Sequence, residues 1–265
     1  NELKSLVNRP EIKDKFNPQS ENQEKLGRIL ILSDAAHSFG AKYNGLNLGS
    51  EVDFTVFSFH AVKNLTTAEG GAICINLPEP FNNQEVYNQL NTLSLHGQNK
   101  DALAKSQKGS WEYDVIDAGF KCNMTDILAS IGLVELDRYE SESLPTRKRI
   151  FKQYTNLLKK YDWAITPVFK DQKRESSYHL YLLRIKGISL EVRNQIIQDI
   201  FEQEVSVNVH YKPLPLLSYY KSLGYEMENY PNAKSLWENE ISLPVYFDLS
   251  VKNVHTIIEV VVNAV

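Results

Sequence analysis

Apolar positions along the chain fall into short runs and longer periodic stretches, and the two alternate. Residues 28–33 (RILILS) place four consecutive aliphatic side chains between polar ends. So short a run predicts a strand buried on both faces, as in a parallel sheet. Residues 54–59 (FTVFSF) are aromatic and β-branched and predict a second strand, and residues 72–76 (AICIN) predict a third. Gly70 and Gly71 between them permit a turn or a close backbone approach. Over residues 79–96 the period becomes helical, with Val86, Leu90 and Leu93 spaced by four and three. Residues 100–109 are polar and read as a loop. Thr125-Asp126 then opens a strong helix with Ile127, Leu128, Ile131 and Val134 on one face, and residues 141–145 are expected to break it.

Beyond that point the pattern changes to mixed α+β. Helices are predicted over residues 147–161 and 190–202, and strands over 163–168, 178–185 and 205–210. A proline-rich loop (HYKPLPLL), a short helix near 233–239 and a terminal helix after Ser250 complete the chain. No internal repeat is visible. The expected organisation is a larger α/β part over residues 1–142 and a smaller α+β part over 143–265.

Composition narrows the function classes more than it names one. The 265 residues are 42% hydrophobic and 23% charged, as in an ordinary globular protein able to bury a sizeable core. A net charge of −4 with both signs mixed argues against a nucleic-acid surface. Cys74 and Cys122 have no paired metal-ligand spacing, so a zinc site or disulfide framework is not expected and a reducing cytoplasm fits. No apolar run approaches the roughly 18 residues that span a bilayer, and no signal peptide opens the sequence.

Candidate chemistry begins at the strand ends. Asp34 ends the first predicted strand, Ser58 lies near the end of the second, and Lys63 follows five residues later in SFHAVKNLTTAEGG. Open α/β sheets place functional groups beyond the carboxyl ends of their strands. Pyridoxal phosphate calls for such a set: a lysine amine for the Schiff base, a carboxylate for the protonated pyridine nitrogen, and hydroxyl or backbone donors for the phosphate. Plain structural readings stand beside this one. Lys63 would otherwise be a solvated loop lysine, Asp34 a cap on a following helix, Ser58 and Asn123 turn or cap residues, and Tyr211, Tyr219 and Tyr220 packing. His179 reads as a packing residue of its strand, and His60 has no assigned role.

The wording of the sequence goes further. SDAAHSFGAKYNGLNLGS, followed by FTVFSFHAVKNLTTAEGGAICIN, resembles the DegT/DnrJ/EryC1/StrS family of pyridoxal-phosphate sugar aminotransferases. The likeness continues through LHG at 95–97, residues 111–138, residues 207–225 and ISLPVY at 241–246. It implies a fold-type I transferase subunit with a mostly parallel central sheet, a smaller α+β C-terminal domain and an active site at a homodimer interface. By matched position, Lys63 is the Schiff-base lysine, Asp34 the partner of the pyridine nitrogen, Ser58 a phosphate contact and His37 the residue beside the cofactor ring. Asn123 matches a position that reaches the phosphate of the other subunit's cofactor. His210, Tyr211 and His96 match the substrate side. The implied reaction moves an amino group from L-glutamate to a nucleotide-linked keto sugar. Relatives that dehydrate at the sugar's C3 carry histidine where Lys63 stands, so the lysine favours transamination.

The sequence departs from the family pattern at its front. Residues 1–27 are polar, carry no initiator methionine, and stand where members have a longer N-terminal section with a phosphate-binding turn and a ring-stacking residue. The expectation is an N-terminally truncated large domain: a piece of a longer protein, a partly ordered one, or half of a split gene. Two rival functions follow, a non-catalytic or regulatory relative and an inactive fragment that needs a separate N-terminal half.

Overall fold

A computed structural model describes residues 2–100, 108 and 112–265. Most of the predicted loop at 100–109 therefore lies outside the described residues. The chain divides into two compact units, Asn1–Asp137 and Arg138–Val265. Among the described residues no helix is long and apolar enough to cross a membrane.

The first unit opens with three short helices, α1 (Glu2–Val7), α2 (Pro10–Lys13) and α3 (Glu21–Leu26). Ser20 caps α3 by accepting the Gln23 N–H, and Gly27 ends it in the left-handed conformation. The sheet that follows runs β1 (Leu32–Asp34), β4 (Phe54–Ser58), β5 (Gly71–Ile75), with β1 and β4 parallel and β4 and β5 antiparallel. A small hairpin, β2 (Lys42–Tyr43) and β3 (Leu46–Asn47), lies between β1 and β4 in the chain. Helices α4 (Asn83–Ser94) and α5 (Asp126–Arg138) complete the series.

Two expectations are corrected here. The aliphatic run at 28–33 forms a strand only from Leu32, and it is not buried on both faces: Leu30 and Leu32 are 42% and 57% exposed. The cause is local. The Asp53 carboxylate takes the Ile31 N–H at 2.8 Å and pairs with Arg28 through two 2.7 Å bonds, so Ile31 joins the ladder only through its carbonyl, which accepts the Phe54 N–H at 3.2 Å. The second correction concerns residues 141–145, which do not break the helix. A five-residue π segment, Tyr139–Ser143, carries α5 into α6 (Leu144–Leu158). Pro145 stands in the first turn of α6, and the wider π turn before it, closed through Leu144 N–H to Tyr139 O, accommodates it.

The Arg28–Asp53 pair is almost fully buried, at 4% and 1% exposure. Burial pushes the Asp53 carboxyl up, but the Arg28 fork, the Ile31 N–H and the charges of Arg28 and Lys4 outweigh it and hold the group below the usual carboxylate range. A carboxyl depressed in the folded state contributes stability above its unfolded pKa and loses it as pH falls through the folded value. Asp53→Ala is expected to cost about 3–5 kcal/mol in denaturant melts near neutral pH, since it strands a buried guanidinium. The difference from wild type should shrink as Asp53 protonates in acid.

The second unit has the better core. A sheet in the order β6 (Ala164–Ile165), β8 (Tyr181–Ile185), β9 (Glu240–Leu243) is antiparallel throughout. The two-residue strand Arg174–Glu175 is β7. Helices α6, α7 (Leu190–Glu202) and α10 (Val251–Ala264) supply the other apolar stripes. Ile150, Phe151, Tyr154, Tyr181, Leu183, Ile200, Ile241 and Val261 share one buried cluster. Phe151 meets Tyr178 and Tyr181 edge-on at 5.3 and 5.1 Å, the geometry that ring quadrupoles favour. Short helices α8 (Ser218–Ser222) and α9 (Pro231–Glu238) lie in the segment between α7 and β9.

Strand β8 starts three residues later than predicted. Tyr178 is left-handed (φ 55°), and Arg147 takes the Tyr178 and His179 carbonyls at 3.0 Å each. His179 is 7% exposed and packs, as its surroundings suggested. The strand expected at 205–210 reduces to one bridge, Asn208 to Ser242. Side chains have claimed the next donors: Asn208 Oδ1 accepts the Val209 N–H at 2.7 Å, and Glu240 Oε2 accepts the His210 N–H at 3.0 Å.

Candidate active site

Parallel pairing of β1 with β4 fixes the first group of candidates. The register sets Asp34 beside Val56, so the ends of both strands emerge together, with Ser58 two residues further along. No helix follows Asp34. Its Oδ1 accepts the Ala36 N–H at 3.1 Å in a turn, which corrects the helix-cap reading. Ala35 N–H bonds Val56 O at 2.8 Å, anchoring that turn to β4, and His37 is its next residue.

The lysine segment is the loop of the β4–β5 hairpin, closed on itself. Phe59 N–H donates to Gly70 O at 2.8 Å, and Phe59 O accepts from Thr67 N–H at 2.9 Å and Thr66 Oγ1 at 3.2 Å. Thr67 Oγ1 donates to Glu69 O at 2.8 Å. The two threonines thus satisfy backbone groups of a loop that has no ladder of its own. Lys63 N–H donates to His60 O at 2.9 Å, and Ser58 Oγ accepts the His60 N–H at 3.3 Å. Phe39 packs edge-on against Phe57 and Phe59 at 5.4 and 5.8 Å. Gly71 lets β5 approach: a Cβ there would meet Phe57 O at 2.6 Å. At Gly70 a Cβ would meet the Met124 methyl at 2.6 Å, so the segment after Asn123 lies against the lysine loop.

Electrostatics ties three of these residues together. His37 is partly buried, and burial lowers its pKa; the Lys63 charge lowers it further and Asp34 partly opposes. Its imidazole is therefore neutral at neutral pH, within the field of both an amine and a carboxylate. His60, by contrast, is exposed and pairs with Glu69 at 3.0 Å.

A second group forms at the C-terminal end of α4. His96, left-handed at φ 59°, donates its N–H to Phe120 O at 2.8 Å, while Cys122 and Asn123 donate theirs to Ser94 O at 2.9 and 3.1 Å. These bonds occupy a carbonyl that the helix end leaves open. The Asn123 side chain bonds Lys121 Nζ and, at 3.4 Å, Met124 O.

The third group, His210 and Tyr211, belongs to the second unit. Their rings meet edge-on at 4.7 Å, and His210 Nδ1 lies 2.7 Å from Ser242 Oγ. Tyr211 is 59% exposed. Both border a cleft of about 510 Å³ that Arg184, Trp237 and Glu240 also line. Glu240 and Ser242 were not singled out from sequence. Glu and Ser alternate there with Ile and Leu, but that the strand is buried at every position is visible only in the fold.

The family profile of the DegT/DnrJ/EryC1/StrS aminotransferases matches residues 23–262. The chain belongs to that family. It is 34% identical over 239 residues to the spore coat polysaccharide biosynthesis protein SpsC of Bacillus subtilis, covering 88% of this chain and 59% of SpsC. It is 30% identical over 232 residues to UDP-4-amino-4,6-dideoxy-N-acetyl-beta-L-altrosamine transaminase of Campylobacter jejuni, covering 88% of this chain and 57% of that enzyme. Among solved structures, the PMP form of the putative sugar aminotransferase Spr1654 from Streptococcus pneumoniae superposes with a TM-score of 0.91. That match has 48% identity and covers 99% of this chain and 65% of Spr1654, which has also been solved in a PLP form. The chain thus spans somewhat more than half the length of the curated relatives it matches. Its fold is that of the fold-type I aminotransferases, and the cofactor of the family is pyridoxal phosphate.

Proposed function

We propose that the protein to which this chain belongs transfers an amino group from L-glutamate to a nucleotide-linked keto sugar, in making an amino sugar for a cell-surface polysaccharide or an antibiotic. The observation that carries this reading is the convergence on His37 of the Lys63 and Asp34 charges, at the ends of two paired parallel strands. An amine, a carboxylate and, two residues beyond the paired strand end, the Ser58 hydroxyl are the groups that pyridoxal phosphate calls for. When bound, that group supplies an electron sink for the pair left on the amino-bearing carbon when its proton departs.

The residues divide the remaining work. Lys63 would hold the cofactor covalently, and its released amine would take the proton from the donor's Cα and later supply one to the sugar carbon. Asp34 offers its carboxylate to a ring N–H, a fixed charge where positive charge must persist. Ser58 offers a hydroxyl to the phosphate, and Asn123 an amide to the phosphate held by the other subunit. His37 sets a flat, uncharged ring against the cofactor. His96, His210 and Tyr211 face the sugar nucleotide.

The reading includes a homodimer with shared active sites. It is supported by α5, where Ile127, Ile131 and Val134 of the predicted apolar face remain 76%, 43% and 63% exposed. We place the enzyme in the cytoplasm, in keeping with the free thiols of Cys74 and Cys122.

The test is a screen of UDP- and dTDP-linked 4-keto and 3-keto sugars with L-glutamate and the full-length protein, following 2-oxoglutarate. At least one sugar should give stoichiometric 2-oxoglutarate and amino sugar. Release with none of them, in a protein that binds pyridoxal phosphate, would count against the sugar-nucleotide reading.

A further inference from the structure

Strand β9 alternates between two environments. Ile241 and Leu243 join the core, while Glu240 and Ser242 point to the other face, paired across the sheet with Arg184 and Leu182 of β8. Both polar side chains are 4% exposed. A carboxylate so deep needs partners, and these are specific. Glu240 Oε1 accepts the Ser242 hydroxyl at 2.5 Å, and Oε2 accepts the His210 backbone N–H at 3.0 Å. Ser242 Oγ lies 2.7 Å from His210 Nδ1.

A serine hydroxyl has one proton. Committed to the carboxylate, it can only accept from His210, so Nδ1 carries an imidazole proton, and in the neutral ring Nε2 is left as the acceptor. We propose that Glu240 and Ser242 are positioning residues that hold His210 as its Nδ1–H tautomer, so that it meets the substrate as a hydrogen-bond acceptor at Nε2. Groups facing the pair are consistent with an ionised carboxylate. Arg193 donates to the Glu240 main-chain oxygen at 3.0 Å, and Arg184 lies directly across the strand pair. Burial acts the other way and raises the carboxyl, against the Ser242 and His210 bonds and the Arg193 charge. An acceptor at Nε2 selects a substrate hydroxyl or N–H in the cleft that His210 lines. This last step rests on the reading of His210 as a substrate-side residue; the tautomer does not.

The experiment is ¹⁵N–¹H correlation of ¹⁵N-histidine-labelled full-length protein near neutral pH, with His210 assigned by substitution. Wild type should show the Nδ1–H pattern. Ser242→Ala should move His210 toward the Nε2–H form that a free imidazole prefers and lower kcat/KM for the keto sugar about tenfold, the worth of one neutral hydrogen bond. Glu240→Gln, a near-isosteric change, should shift the tautomer in the same direction. An Nε2–H pattern in wild type, or an unchanged tautomer in Ser242→Ala, overturns the proposal. A shifted tautomer with unchanged kcat/KM would remove the substrate role of His210. An intact Nδ1–H pattern in a protein that aminates no sugar would support the pairing and refute the proposed function instead.

Discussion

Lys63→Ala is expected to abolish transamination, lowering turnover by roughly 10⁴-fold or more, because one substitution removes both the covalent attachment and the base that moves the proton. The full-length variant should also lose the visible absorbance that appears when wild type is titrated with pyridoxal phosphate. Folding should be spared. The loop around Lys63 is held by Phe59, Thr66, Thr67 and Gly70, and the lysine's own bond there, from its main-chain N–H to His60 O, is one that alanine keeps. An unchanged unfolding midpoint would show that the loss is chemical. Retention of the band would take Lys63 out of the site.

Asp34→Ala should separate the turn-closing role of this carboxylate from the one proposed for it at the cofactor. Oδ1 closes the turn through the Ala36 N–H, a local structural job. The proposed job is electrostatic, keeping a ring nitrogen protonated while negative charge develops. Loss of one preorganised group of that kind costs about 10²–10³-fold in turnover. The visible band should survive, since Lys63 is untouched. Asp34→Asn sharpens the comparison: its amide oxygen can still accept from Ala36, but the charge is gone. A turnover loss as large in Asp34→Asn as in Asp34→Ala assigns the effect to charge. Near-normal turnover in Asp34→Asn would leave Asp34 as a turn residue only.

Elements with a strong local signal could be read directly. FTVFS forms β4, LEVRNQIIQDIFE forms α7 with Ser189 accepting the Val192 N–H, and Ser250 caps α10 through the Asn253 N–H at 3.0 Å. In each case period and cap agree, and nothing distant competes. The errors arose where a distant side chain took over a backbone group. Asp53 takes the Ile31 N–H ahead of β1, Glu240 takes the His210 N–H, and Arg147 takes the carbonyls before β8. Their partners are 22 to 32 residues away in sequence, beyond the reach of any local pattern. The π segment escaped for a different reason. Pro145 signals a break, and only the three-dimensional path shows that a widened turn absorbs it.

At the candidate site, words in the sequence named Asp34, His37, Ser58 and Lys63, and strand pairing explains why residues so spaced can act on one another. His96 and Asn123 were named by the same likeness, but their place beside the α4 end depends on the chain's return at 120–123. Glu240 and Ser242 needed the fold. Only once β9 is paired with β8 does it become clear which face of EISL turns away from the core.

The central claim is that Lys63 is the residue that takes up the cofactor. Borohydride reduction of the full-length protein with pyridoxal phosphate, followed by proteolysis and mass mapping, tests it most directly. The account predicts loss of the visible band and a single stable pyridoxyl label on the peptide that contains Lys63. A label on another lysine, or a band that borohydride leaves untouched, would contradict it.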